Sequence, residues 1–469
     1  MTETSLANAD LLPTTAAQRH WRWKDFASLW VGMVICVPTY TMASSMLDQG
    51  FSWQMAIWLV FVANLIVLAP MLLIGRAGTK HGIPFPILAR VSFGVIGANL
   101  PAVLRGLVAV GWFSINCYFG ALAMHGLANA FGMGLAGPAA GETISSSQLV
   151  CFLLFWAVHI AFIWKGLESV RLLEVVAAPL MIAASVALVA WAFMTVPPSQ
   201  IFSLPAKVVE GGPKTWAALT GLVGFWATLA LNIPDFTRFA KSQRDQVIGQ
   251  AIGLPLPMAL FSLVGVIGFS VSQILYGKAQ LFPDGLLTQM GPVASSVGLV
   301  VILLANLTTN VAANLVSPSY DFSQLAPSKI SFRMGGLIAA LLGLLFQPWK
   351  LLASSGAYLF TWLGGYGTLL GAVAGILLVD YYLIRRTELK VADLYRRGGA
   401  YEYSGGWNIH ALIAFALGVL PCLPGYLAVS GLIPQDTVAP LLLSLYDFGW
   451  FFSLTVAGLY YYFTARRPT

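Results

Sequence analysis

Apolar residues run along this chain in blocks of about 20, parted by short polar or Pro- and Gly-rich stretches, and such blocks cross roughly 30 Å of hydrocarbon as helices. Twelve windows of this kind occur, at roughly 28–47, 53–75, 101–130, 148–165, 170–196, 214–236, 247–274, 294–317, 333–347, 352–383, 408–430 and 438–463. The pattern predicts an all-α polytopic membrane protein. With 58% hydrophobic and 9% charged residues, composition excludes an ordinary soluble domain.

Several windows carry marks of interruption or of internal polarity. In the first, Pro38 removes a backbone donor and predicts a kink near Val37. In the sixth, Gly221 and Gly224 weaken the middle just before Phe225-Trp226, a second candidate break five spans later. The eighth holds Asn306, Asn310 and Asn314 on one helical face, about 40° apart, with Thr308 and Thr309 beside them. Amides and hydroxyls in hydrocarbon need partners, so this face meets another helix or a solute site; the residues alone leave both open. Trp112 and Asn116, one turn apart in the third window, set an indole beside an amide, although indoles also favour the headgroup belt. His159 and Glu174 read as a helix-bridging histidine and a carboxylate near Lys165 and Arg171 rather than as proton relays. The tenth window has Gly364, Gly365, Gly367 and Gly371, suited to a gate or to close packing.

Matching breaks in two halves are the pattern of inverted-repeat transporters, in which broken helices surround a solute at mid-membrane. The expected division is a cytoplasmic tail at 1–27, repeat one at 28–197, repeat two at 212–384, a cytoplasmic loop at 385–406, two further spans within 407–463 and a tail at 464–469. The loop between the second and third spans is expected to carry a short surface helix, and the last two spans to be peripheral.

Charge adds orientation. With both termini cytoplasmic, all 25 Lys and Arg except Lys207, Lys214, Lys278 and Lys350 fall on the cytoplasmic side, Arg19, Arg76, Arg385, Arg386, Arg466 and Arg467 among them. The net charge of +7 thus reports topology in an inner membrane, and no nucleic-acid patch is present. Four cysteines, all inside spans, give neither a disulfide framework nor zinc spacing. The spans hold no cluster of His, Asp, Glu or Cys with acid/base or metal spacing, so no enzyme and no cofactor is expected.

GIPFPILARVSFGVIGANLPAVLRGLVAVGWF, the PDFTRF closing span six and TTNVAANLVSPSYDF resemble signatures of the nucleobase:cation symporter family, which includes hydantoin, uracil, allantoin and cytosine permeases; the likeness runs from about Trp23 to Tyr403. The resemblance implies a LeuT-like fold of two inverted five-helix repeats plus two C-terminal helices, working as a monomer. It implies import of a planar nitrogen heterocycle with Na+ or H+. By similarity Trp112 and Trp226 sandwich the ring, Asn116, Asn310 and Asn314 face it with amides, and the broken backbone at Phe225 adds polar groups. Cys36 stands where the hydantoin carrier has an amide, and Asn116 where a glutamine is usual. Sodium would be held by carbonyls of Gly32, Ile35 and Ala305 and hydroxyls of Thr308 and Thr309, oxygen ligands of the kind a hard cation takes. A carrier of the same fold for a vitamin, imidazole compound or amino acid is the alternative.

Overall fold

The structure, a computed structural model, describes residues 6–165 and 167–465, with backbone alone for 163–178. The side chains of Lys165, Arg171 and Glu174, and the tail with Arg466 and Arg467, lie outside the described residues. Among the described residues the ordered elements are helices, with no strand beyond isolated bridges. Six helices are long and apolar enough to cross a membrane, and three bent pairs bring the number to nine. The windows at 148–165, 170–196 and 333–347 contain the shorter apolar helices Ser146–Phe162, Pro179–Thr195 and Phe332–Gly343.

Span one is two helices, Trp23–Val34 and Val37–Asp48, bent by 54°. The break falls at Ile35-Cys36, just ahead of Pro38, because proline sits well in the first turn of the second helix, where a missing N–H leaves nothing unpaired. The Cys36 N–H, which an unbroken helix would direct to Gly32, goes to Val34 O (2.9 Å), and the Thr39 N–H goes to Cys36 O (3.1 Å) instead of Ile35 O. Two carbonyls thereby lose their helical donors. Span six breaks at Trp226, between Thr215–Phe225 and Ala227–Thr237, with a bend of 42°. Its first helix packs on span ten (Ala357–Ile384) so closely that Gly224 and Gly367 face each other backbone to backbone; a Cβ on Gly367 would lie 3.1 Å from Gly224 Cα. The glycines of span ten serve this packing: Gly371 likewise abuts Trp450 and Ser453.

Two expectations need correction. The helix between spans two and three, Phe85–Phe93, is buried at all nine residues rather than lying on the surface. Its charged residue, Arg90, is accommodated by Gln324 Oε1 (2.6 Å), Leu394 O and Leu6 O (both 2.7 Å). The last span, expected to be peripheral, packs along span ten through Gly449–Thr464. Its two helices, Pro440–Asp447 and Gly449–Thr464, meet at 90°, where Gly449 seats against Thr368 and Thr220 Oγ1 donates to Asp447 O (2.7 Å).

The N-terminal segment is strapped across one end of the bundle. Leu11 is fully buried. Thr14 Oγ1 donates to Arg238 O (2.6 Å), Asn8 Nδ2 to Ser323 Oγ (2.9 Å), and Tyr395 OH to Leu11 O (2.9 Å). On the same side, Arg105 of span three pairs with Asp321 of span eight at 3.1 Å, both side chains wholly buried. Leaving one member of such a pair costs about 3–5 kcal/mol, because a charge stays behind without its counter-ion. Arg105→Ala is therefore expected to lower the unfolding temperature in detergent sharply, and Arg105→Met with Asp321→Leu to restore most of it. Equal stability of Arg105→Ala and the parent chain would show that the pair is not holding the helices.

Candidate functional site

The two breaks meet span three (Asn99–Ala130) and span eight (Pro292–Leu325) around a small cavity. Trp112, Asn116, Phe225, Trp226, Asn314 and Cys36 line it, together with Thr309. Of the residues expected to contact substrate, Asn310 alone stands behind the wall. Met33, Pro38, Thr228, Leu229 and Ala313 complete the lining and were not expected.

Aromatic rings dominate the wall. The Trp112 indole lies 5.1 Å from Phe225, and Phe225 lies 4.9 Å from Trp226, each pair edge to face. Trp226 in turn meets Trp30 at 5.1 Å. Tyr366, in the Gly-rich stretch of span ten, ties these together: Trp112 Nε1 donates to its hydroxyl (3.1 Å), which donates to Phe225 O at the second break (3.4 Å). An aromatic residue kept among glycines was the available sequence signal for Tyr366, and the glycines drew attention from it. Trp362 joins the group at 6.2 Å from Trp112.

The polar groups are few and incompletely paired. Asn116 Nδ2 donates back to Trp112 O (3.0 Å), while its Oδ1 is buried without a partner. Trp226 Nε1 is likewise buried and unpaired. A buried acceptor and a buried donor left open beside aromatic faces are what a flat ring carrying both N–H and C=O would satisfy. The cavity measures about 30 Å³, room for roughly two or three waters.

Beside the first break the cation candidates divide. Thr309 Oγ1 reaches Gly32 O across the helices (3.2 Å), whereas Thr308 Oγ1 donates to Ala305 O in its own helix (3.0 Å). Ile35 and Ala305 pack in a small apolar cluster with Met181 and line a second cavity of about 90 Å³. Of the expected oxygen donors, the structure thus joins Gly32 to Thr309 across the helices and Thr308 to Ala305 within span eight. His159 bridges helices, with Nε2 at 3.1 Å from Asn310 Nδ2 and Nδ1 at 2.8 Å from Phe155 O.

Residues 13–452 match the family described as permease for cytosine/purines, uracil, thiamine and allantoin. The chain is 42% identical to the purine-uracil permease NCS1 of Arabidopsis thaliana, covering 99% of this chain and 78% of that one. It is 37% identical to the allantoin permease of Bacillus subtilis (strain 168), covering 97% and 92%. Among solved structures it superposes on Mhp1, a nucleobase-cation-symport-1 family transporter in a closed conformation with bromovinylhydantoin bound, with TM-score 0.79 and 25% identity over 97% of this chain and 94% of that one.

Because Gly224 backs directly onto Gly367, an added methyl there must push span ten, and with it Tyr366 and Trp362, away from Trp112. Gly224→Ala is expected to weaken ligand binding about tenfold or more, displacement by about 1 Å sufficing for such losses, while the protein remains monodisperse in detergent. Unchanged affinity in a folded variant would mean that the aromatic wall does not depend on this contact.

Proposed function

Given that this chain belongs to the permease family for cytosine/purines, uracil, thiamine and allantoin, we propose that it imports a planar, amide-bearing nitrogen heterocycle across the cytoplasmic membrane by symport with sodium. The observation that carries the reading is the pair of unsatisfied buried groups, Asn116 Oδ1 and Trp226 Nε1, at an aromatic cavity where two broken helices cross. Trp112 and Trp226 supply faces for stacking, and Asn116 and Asn314 accept from the ring's N–H groups. Uracil, allantoin or a hydantoin has this alternation of N–H and C=O along its edge. Cys36 closes the cavity from the side of the first break.

Twelve crossings, with repeats at 28–197 and 212–384 and both termini cytoplasmic, accommodate the breaks at equivalent places five spans apart. Sodium binds between the first break and span eight, through Gly32, Ile35 and Ala305 carbonyls and the Thr308 and Thr309 hydroxyls. What supports this is the loss of helical donors at Gly32 and Ile35, and the reach of Thr309 to Gly32. Because Thr309 also lines the ring cavity, bound sodium and bound ring share one wall, and each raises the affinity of the other by the same factor. Transport needs no covalent step: the single site opens alternately to either side.

Uptake of radiolabelled uracil, allantoin, hydantoin and cytosine, with sodium present or replaced by choline, tests the reading. Saturable accumulation of one of them in sodium is expected; no accumulation of any by protein that reaches the membrane would overturn it. Trp112→Ala and Trp226→Ala should each reduce binding about tenfold or more with folding intact, since a stacked aromatic face is lost. Thr309→Ala should abolish the response to sodium. Sodium-stimulated uptake persisting in Thr309→Ala would remove the cation site from span eight.

A further inference from the structure

Behind the cavity wall a chain of hydrogen bonds runs from span four to Asn314. Phe155 O can only accept, so the His159 Nδ1 beside it, at 2.8 Å, carries the imidazole proton. The Nε2 of that ring is then an acceptor, and it lies 3.1 Å from Asn310 Nδ2. Asn310 Nδ2 also donates to Phe113 O (3.1 Å), with Cys117 Sγ at 3.6 Å. Two acceptors thus fix which end of the Asn310 amide is nitrogen, and flipping it would set oxygen against both. Its Oδ1 is consequently the atom offered to Asn314, whose Nδ2 donates to it at 3.0 Å. His159 and Asn310 are fully buried, and only Asn314 reaches the cavity.

We infer that His159 and Asn310 are positioning residues that never touch substrate but fix Asn314 as a hydrogen-bond acceptor, so that the cavity selects rings offering an N–H over rings offering a lone pair at that place. With its nitrogen turned back to Asn310, Asn314 keeps its carbonyl oxygen for the ligand. Asn116 is fixed in the same sense, its nitrogen committed to Trp112 O and its oxygen open. Two acceptors set in advance demand two N–H groups from the ring. A cyclic urea edge, with a carbonyl between two N–H groups, supplies them; a ring nitrogen without hydrogen leaves two lone pairs facing each other in a dry site. The inference rests on the cavity being the substrate site, but the proton position on His159 does not.

Two measurements separate these parts. The first is competition by uracil, whose N3 carries hydrogen, and by cytosine, whose N3 does not, against whichever labelled heterocycle the chain accumulates. The parent chain should favour uracil by about tenfold or more, the factor by which a site built for an N–H rejects a ligand that leaves it unpaired. His159→Phe and Asn310→Leu should shrink that ratio severalfold, whereas His159→Gln, whose carbonyl can accept from Asn310, should retain it. A purely structural role would lower both affinities together, and a ratio unchanged in His159→Phe and Asn310→Leu overturns the inference. The second is the solid-state 15N spectrum of the full chain labelled at histidine, with the His159 signal identified by its absence in His159→Gln. A neutral ring protonated at Nδ1 is expected. Protonation at Nε2, or an imidazolium at neutral pH, overturns the inference whatever the ligand, and failure of every heterocycle to bind beside an Nδ1-protonated ring would count against the substrate reading instead.

Discussion

A peptide group without a partner costs several kcal/mol in hydrocarbon, so a helix can be broken inside a membrane only where something else takes over its donors and acceptors. That constraint organises this molecule. At Ile35-Cys36 the freed Gly32 carbonyl is met by Thr309 from span eight, and at Trp226 the Phe225 carbonyl is met by Tyr366 from span ten. Each break therefore requires a neighbour with a polar group at a set height, and one of these, Tyr366, in turn holds Trp112. The cavity follows from the breaks rather than being hollowed beside them.

Close backbone approach does the rest of the positioning. Gly224 against Gly367 brings spans six and ten near enough for Tyr366 to reach both Trp112 and Phe225. The last helix, Gly449–Thr464, packs on span ten one and two turns further along, against Gly371 and Gly375. The ring-bearing wall is thus supported by two helices, which suits a site whose aromatic faces must be at fixed separation.

Much of this was legible in the chain. The windows, the two breaks and the polar face of span eight follow from periodicity and from the energetic penalty on polar groups in lipid. Trp112, Asn116, Trp226 and Asn314 could be found because an indole or an amide is conspicuous in an apolar run. The finer assignments escaped for physical reasons. Asn306, Asn310 and Asn314 share a face only in a regular helix, and a π-helical turn at Ala312–Val316 changes the register just past Asn310. Within the regular helix Asn306 bonds Ile302 O and Asn310 faces His159; of the three, Asn314, inside the π turn, is the one that reaches the cavity. Phe85–Phe93 reads as a surface helix because the stretch around it is polar and rich in Pro and Gly, and nothing local reveals that carbonyls distant in sequence await the Arg90 guanidinium. The 90° turn near Phe448 depends on Thr368 and Thr220, far away along the chain.

The N-terminal strap touches the ends of several spans at once: Arg238 after span six through the Asp10 and Leu12 carbonyls, Ser323 in span eight through Asn8, and Tyr395 beyond span ten through Leu11. These bonds cross between parts of the chain that must separate if the bundle parts at this end. They work as a seam, in which the first stitch broken exposes the next. Any parting of the bundle at this end would have to break these bonds together, so the strap adds its weight to whatever balance exists between joined and parted ends.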